Sequence, residues 1–143
     1  ASGTQSFQTV IDTTPPVIKD MKSEVSIITD PNGDSKAQVI ISWSTDEPAT
    51  GQIKYAMGVA SADDYPLSTQ EDTNLTTSHV VIISNLQPSA TYHMRLISKD
   101  SSGNIAVSDD YSVLTLNQEK SLLQYIIQIL EERFSWLKGL GLF

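Results

Sequence analysis

Short runs in which apolar and polar residues alternate with a period of two recur as far as Leu116, with a polar, irregular stretch over 58–76, and a helical period takes over after Asn117. Alternation marks strands with one buried face, whereas apolar spacings of three and four mark one face of a helix. Strands are predicted at Val17 to about Met21, resuming over Val25–Ile28, then at about Ala37–Ser44, Gly51–Met57, Ser78–Leu86 and Tyr92–Ser98. A last one spans about Ile105 to Leu116, interrupted at Asp109-Asp110, and a weak edge strand is expected near Tyr65–Leu67. Asp30-Pro31-Asn32-Gly33-Asp34 and Asp100-Ser101-Ser102-Gly103-Asn104 are turn chemistry, and Glu47-Pro48 is expected to end the second strand. Seven short strands separated by such turns predict an all-β, antiparallel sandwich.

One segment locks that arrangement. In Leu86-Gln87-Pro88-Ser89-Ala90-Thr91-Tyr92 a leucine, a proline and a tyrosine are spaced as in a tyrosine corner. There a buried ring packs at the sandwich edge and its hydroxyl bonds back to the upstream backbone. Trp43 lies at the right distance to sit beneath it, and Ile53 and Tyr55 share one face of the following strand. Trp43, Tyr55, Leu86, Pro88 and Tyr92 are therefore the expected structural core.

Residues 117–143 read as an amphipathic helix, from about Gln118 to Lys138. Asn117 can cap it, Glu119 suits its first turn, and Gly139 and Gly141 punctuate its end. On a helical wheel Gln124, Gln128, Glu131, Glu132, Ser135 and Lys138 cluster on one side. Leu122, Leu123, Ile126, Ile127 and Ile129 fill much of the rest, with Leu130, Phe134, Trp136, Leu137 and Leu140. The apolar arc covers roughly 200°, about twice what an ordinary surface helix presents. Leu123, Ile127, Leu130, Phe134 and Leu137 also step by four and three, as along a coiled-coil seam. Arg133 falls inside the arc and needs a partner or a route to water. Such a helix has three destinations: its own strands, copies from other subunits, or a membrane surface. Glu131 and Glu132 disfavour an anionic membrane surface.

Composition narrows the function. The chain has 143 residues, enough for one domain of ordinary size and an appendage. Its net charge of −8 repels phosphate backbones, so nucleic acid is not an expected partner. No cysteine is present, which excludes disulfides and thiolate metal sites without fixing the compartment. Ala1-Ser2-Gly3-Thr4 carries neither the basic nor the apolar region of a secretory signal. Residues 1–14 read as a polar leader with an apolar island at Val10-Ile11, short enough to add as a strand to a neighbour's sheet edge.

The segments Asp12-Thr13-Thr14-Pro15-Pro16-Val17-Ile18 and Ile41-Ser42-Trp43-Ser44-Thr45-Asp46-Glu47-Pro48-Ala49-Thr50, with Leu86-Gln87-Pro88, Thr91-Tyr92-His93-Met94-Arg95 and Ser98-Lys99-Asp100-Ser101-Ser102-Gly103-Asn104, resemble a fibronectin type III domain of bacterial secreted and surface proteins. The resemblance covers roughly residues 12–116 and implies a sandwich over residues 15–116 that serves as spacer, adhesion unit or display platform. The integrin-binding Arg-Gly-Asp tip of some members has no equivalent in Asp100–Asn104. The helix has no counterpart in the family.

Candidate chemistry is sparse. Alternation counted from Leu86 puts Val80 and Ile82 inward and His79 outward; counted from Tyr92 and Met94 it puts His93 outward. Both histidines are thus expected to be exposed strand residues, with no carboxylate spaced to orient either ring. Asp30, Asn32 and Asp34 imitate the start of a calcium loop, but its glycine and glutamate positions hold Ser35 and Ile41, so a hairpin turn is expected. Asn74-Leu75-Thr76 is a glycosylation sequon, relevant only in a eukaryotic secretory pathway. No nucleophile elbow, phosphate loop or metalloprotease motif occurs, so neither enzyme, cofactor nor metal is expected. The same parity sets Ile40, Val81 and Ile83 outward as an apolar patch needing cover. The expected function is an extracellular or cell-surface structural module that self-associates through its C-terminal helix. A carbohydrate- or receptor-binding accessory module is the alternative; it requires loop aromatics, for which Tyr65 is the candidate.

Overall fold

The computed structural model describes residues 3, 8–58, 64–116 and 122–135. Seven strands run in the order β1 (Ile18–Thr29), β2 (Ser35–Met57), β3 (Leu67–Ser68), β4 (Asp72–Leu86), β5 (Thr91–Lys99), β6 (Ile105–Val107) and β7 (Tyr111–Leu114), followed by one helix, α1 (Leu122–Arg133). Every pairing is antiparallel. The strands join into one open sheet, with β2 as the hinge between two hydrogen-bonded groups. Its first half pairs with β1 and β4, and its second half with β3 and β5, which in turn pairs with β6 and β7.

Glu47-Pro48 does not end the second strand as expected. β2 runs straight through it, and the proline is absorbed where the β4 register shifts between Ser44 and Ala49. Proline cannot donate to a ladder, and a bulge is where a strand tolerates it. The Thr45 hydroxyl, bonded to the Glu47 carbonyl at 2.8 Å, closes this bend. β1 is likewise continuous from Ile18 to Thr29, its two predicted pieces joined across a register shift at Lys19/Lys22. Residues 8–15 lie outside any helix or strand and are exposed.

The core draws on both groups of strands. Ala37, Val39, Ile41 and Trp43 from β2 meet Ile83 and Leu86 from β4, Met94 and Leu96 from β5, and Val113 from β7. The Trp43 indole N–H donates to the Ser98 hydroxyl at 3.0 Å, crossing from one group to the other inside the core. The tyrosine corner forms as its spacing predicts: the Gln87 amide donates to the Tyr92 hydroxyl at 2.9 Å, and Tyr92 is buried. Tyr55 and Pro88 are half-buried, Tyr55 packed against the core.

The phase of β4 differs from the expectation. His79, Val81 and Ile83 face inward, with Ile83 only 3% exposed, whereas Val80 and Ile82 face water. The reason is local. Asn85 adopts a left-handed φ of 61° and the register slips by one between Val39↔Ile83 and Ala37↔Leu86. A parity counted back from Leu86 is therefore inverted before it reaches Ile83.

Candidate functional site

α1 is amphipathic by sequence, and its described side chains lie open to water. All placed side chains from 126 to 135 are exposed, including Ile126, Ile127, Ile129, Leu130 and Phe134. Ile127 and Leu130 keep 45% and 48% of their surface in water. Docking onto its own strands, one of the three destinations open from sequence, is not what the described turns do. On the opposite side Gln128 donates to Glu132 at 3.1 Å, one turn on. The side chains of Leu122 and Leu123 lie outside the described residues, as do Asn117, Glu119, Trp136, Leu137 and Leu140. Among the described residues no helix is long and apolar enough to cross a membrane.

The sheet patch expected at Ile40, Val81 and Ile83 is corrected by the phase of β4. Ile40 keeps its outward, half-buried position, and its β4 neighbours on that face are Val80 and Ile82. Val80 is 67% exposed and Ile82 54%.

Neither histidine is exposed, contrary to expectation. His79 is buried inside β4, stacked on Trp43 with ring centroids 5.0 Å apart, its Nε2 3.1 Å from the Thr45 hydroxyl. Gly51 makes room for the stack, since a Cβ there would approach His79 Nδ1 to 3.1 Å. Burial pushes the His79 pKa below its ordinary 6.5, against a smaller opposing pull from Asp72. The folded state therefore binds fewer protons than the unfolded chain just below that value, and stability is lost there as the pH falls. Unfolding midpoints in urea should drop between pH 7 and pH 5, with a shallower slope in His79→Gln. Equal slopes in the two proteins would contradict a buried neutral His79.

His93 does point away from the core, as its parity predicts, but that side is covered. Asp110 holds its Nδ1 at 3.1 Å, and the Tyr65 ring lies across it at 4.8 Å. The Tyr65 hydroxyl donates to the same Asp110 oxygen and accepts from Arg95 Nε at 3.0 Å, with the Arg95 guanidinium 5.5 Å from the ring centre. Burial alone would raise the Asp110 carboxyl, but the bonds from Tyr65 and His93 and the nearby Arg95 outweigh it and bring the group below its usual range. Burial and the Asp110 carboxylate push the Tyr65 phenol up, opposed by Arg95. The cluster clamps the 65–66 segment and the β6–β7 link onto β5. Tyr65 is thus half-buried and engaged, unlike the exposed aromatic a carbohydrate platform would present. Among the described residues the two histidines share no hydrogen-bond partner.

Asp12, Glu47 and Asp100, distant in sequence, bring their carboxylate oxygens within 4.8 Å of one another. Asp100 is buried and accepts from the Ser102 and Asn104 amides and from the Asn104 side chain; against the opposing effect of burial, these bonds lower its pKa. Glu47 is raised by burial, then by Asp12, Asp100 and Asp46. The Asn104 side chain also donates to the Asp12 carbonyl, tying the leader to the β5–β6 turn. With one oxygen from each, the three carboxylates supply half or fewer of the six to eight oxygens a calcium ion takes. Asp30, by contrast, serves its own hairpin: it accepts from the Asn32 and Asp34 amides at 2.9 Å each, as the turn reading expects.

No family model matches the chain, and no curated protein matches it.

Proposed function

We propose that this chain is an extracellular structural module, a fibronectin type III-like sandwich whose C-terminal helix holds it to other copies of itself. Support for the sandwich comes from the two strand groups that share β2, from Trp43 bonded across the core to Ser98, and from the Tyr92 corner. The observation that carries the functional reading is the exposure of Ile126, Ile127, Ile129, Leu130 and Phe134, the described part of the apolar arc. Fully burying one large aliphatic side chain is worth about 1.5–3 kcal/mol. Five or more of them, packed between helices, can offset the roughly 4–15 kcal/mol that association costs in lost freedom. The seam at Ile127, Leu130 and Phe134 is spaced for knobs-into-holes packing with parallel or antiparallel copies. No catalytic step belongs to this reading, and its site is the cell surface or the medium around it.

Light scattering on the intact chain beside one ending at Leu116 tests the reading. The intact chain is expected to sediment and scatter as an oligomer and the shortened one as a smaller species. Equal monomer masses would exclude assembly through the helix.

A further inference from the structure

We propose that the free edge of β4 is a second self-association surface, where another copy of this chain adds its own β4 antiparallel across a two-fold axis. This inference stands on the strands alone and does not rest on the helix reading.

Among the described strands β4 pairs only with β2, so one side of its backbone faces outward. Edge strands present unpaired N–H and C=O groups, and proteins usually blunt them with charge, proline, bulges or shortness. β1, on the other side of β2, is blunted in several of these ways. It carries Lys19, Asp20, Lys22 and Glu24, follows Pro15-Pro16, and breaks register between Lys19 and Lys22. β3, β6 and β7 are two, three and four residues long. β4 is 15 residues long, and from Thr73 to Leu86 it contains no Lys, Arg, Asp, Glu or Pro. Besides the slip at Asn85, its pairing with β2 shifts register between Thr76 and Ser78 and between Asp72 and Thr76, but from Ser78 to Ile83 it runs unbroken. The one ionisable side chain there, His79, points inward and is buried.

The outward side chains select a register. A two-fold axis through Val81 sets Val80 opposite Ile82 of the second copy, and Ile82 opposite its Val80. Directly opposed aliphatic pairs lie about 4.5–5.5 Å apart at Cβ and stabilise a sheet. Ile40 neighbours Ile82 on β2, so the join would merge the aliphatic patches of both copies into one strip on a shared sheet. In a chain of net charge −8, most surfaces of two copies repel. This edge offers no charge to repel, and a backbone edge is complementary to itself, which is the requirement of a two-fold contact. A second copy therefore fits it better than an unlike partner. With the helix as another contact, each copy would hold two neighbours through different surfaces, and the assembly would extend instead of closing.

The full chain carrying Ile127→Glu and Leu130→Glu, which silences the helix seam, provides the test. Sedimentation velocity is expected to show a concentration-dependent dimer, and amides 79–84 should exchange more slowly as the protein is concentrated. Adding Val80→Lys and Ile82→Lys places like charges opposite each other across the join and should weaken the dimer by roughly tenfold or more. Both side chains are exposed, so the fold is expected to survive; Val80→Thr with Ile82→Thr, which keeps strand propensity, should weaken the dimer to a smaller degree. A helix-silenced chain that is monomeric at every concentration overturns the proposal while leaving the helix reading intact. So does a dimer indifferent to the lysine pair. A dimer broken by Val10→Asp with Ile11→Asp, but not by the lysine pair, would make the leader the added strand and overturn the β4 pairing.

Discussion

Replacing Trp43 by alanine is expected to remove most of the domain's stability. The ring is 3% exposed and lies at the junction of the two strand groups. Truncating a buried tryptophan costs about 3–5 kcal/mol through lost transfer energy and the cavity left behind. Two further losses fall on neighbours. Ser98, fully buried, loses its indole partner. A buried hydroxyl left unpaired costs about 1–3 kcal/mol. His79 loses the ring it stacks on. Against a total stability of about 5–15 kcal/mol for a domain, these losses take most or all of it in the lower half of that range. Urea unfolding followed by circular dichroism checks it. Trp43→Phe separates the terms, since it keeps a ring and drops the N–H; a cost below half that of the alanine variant is expected. A loss under about 1 kcal/mol in Trp43→Ala would mean the two strand groups are not joined through this residue.

The second large effect falls on assembly and leaves the fold alone. Ile127→Glu with Leu130→Glu puts two charges in the middle of the apolar arc of α1. Both side chains are exposed in the single chain, so the strands lose no contact and the unfolding midpoint of the β domain should move by less than about 0.5 kcal/mol, as for ordinary surface changes. In a helix-to-helix interface the same positions are buried, and each unpaired carboxylate there costs several kcal/mol. Helix-mediated association should therefore weaken by at least about a thousandfold, at 1.4 kcal/mol per factor of ten. Sedimentation velocity over a range of concentrations reads this directly. Unchanged association would show that α1 is not what holds the copies together.

The parts of the fold legible from residues alone were those decided by short-range chemistry. Tyr92 bonds to Gln87 because five residues of chain set the distance, and Trp43 is buried because alternation over Val39, Ile41 and Trp43 runs without a break. Asp30 closes its own hairpin for a similar reason. What was not legible came from backbone irregularities, including the shifts that carry β2 through Glu47-Pro48 and β1 past Lys19/Lys22, and from partners remote in sequence. A single left-handed residue, Asn85, inverted the assignment of Val80, Val81, Ile82 and Ile83. Asparagine is among the residues that adopt this conformation most readily, so Asn85 just before the corner was the available signal. His93 was placed on the correct face, yet its cover comes from Tyr65 and Asp110, 28 and 17 positions away by sequence number, and alternation carries no information about them. The meeting of Asp12, Glu47 and Asp100 is of the same kind. The existence of α1 was legible because helical periodicity needs only the helix itself, although its described turns end at Arg133 and Phe134 falls in a bend, short of the expected end near Lys138.

Amide hydrogen exchange along residues 122–135, measured on the intact chain when dilute and when concentrated, tests most directly whether that arc is covered by other copies. A helix of this length is marginal in water by itself, so its amides should exchange fast in the dilute monomer and become protected as the concentration rises. Exchange that is fast at every concentration, or slow to the same degree at all of them, would contradict the account.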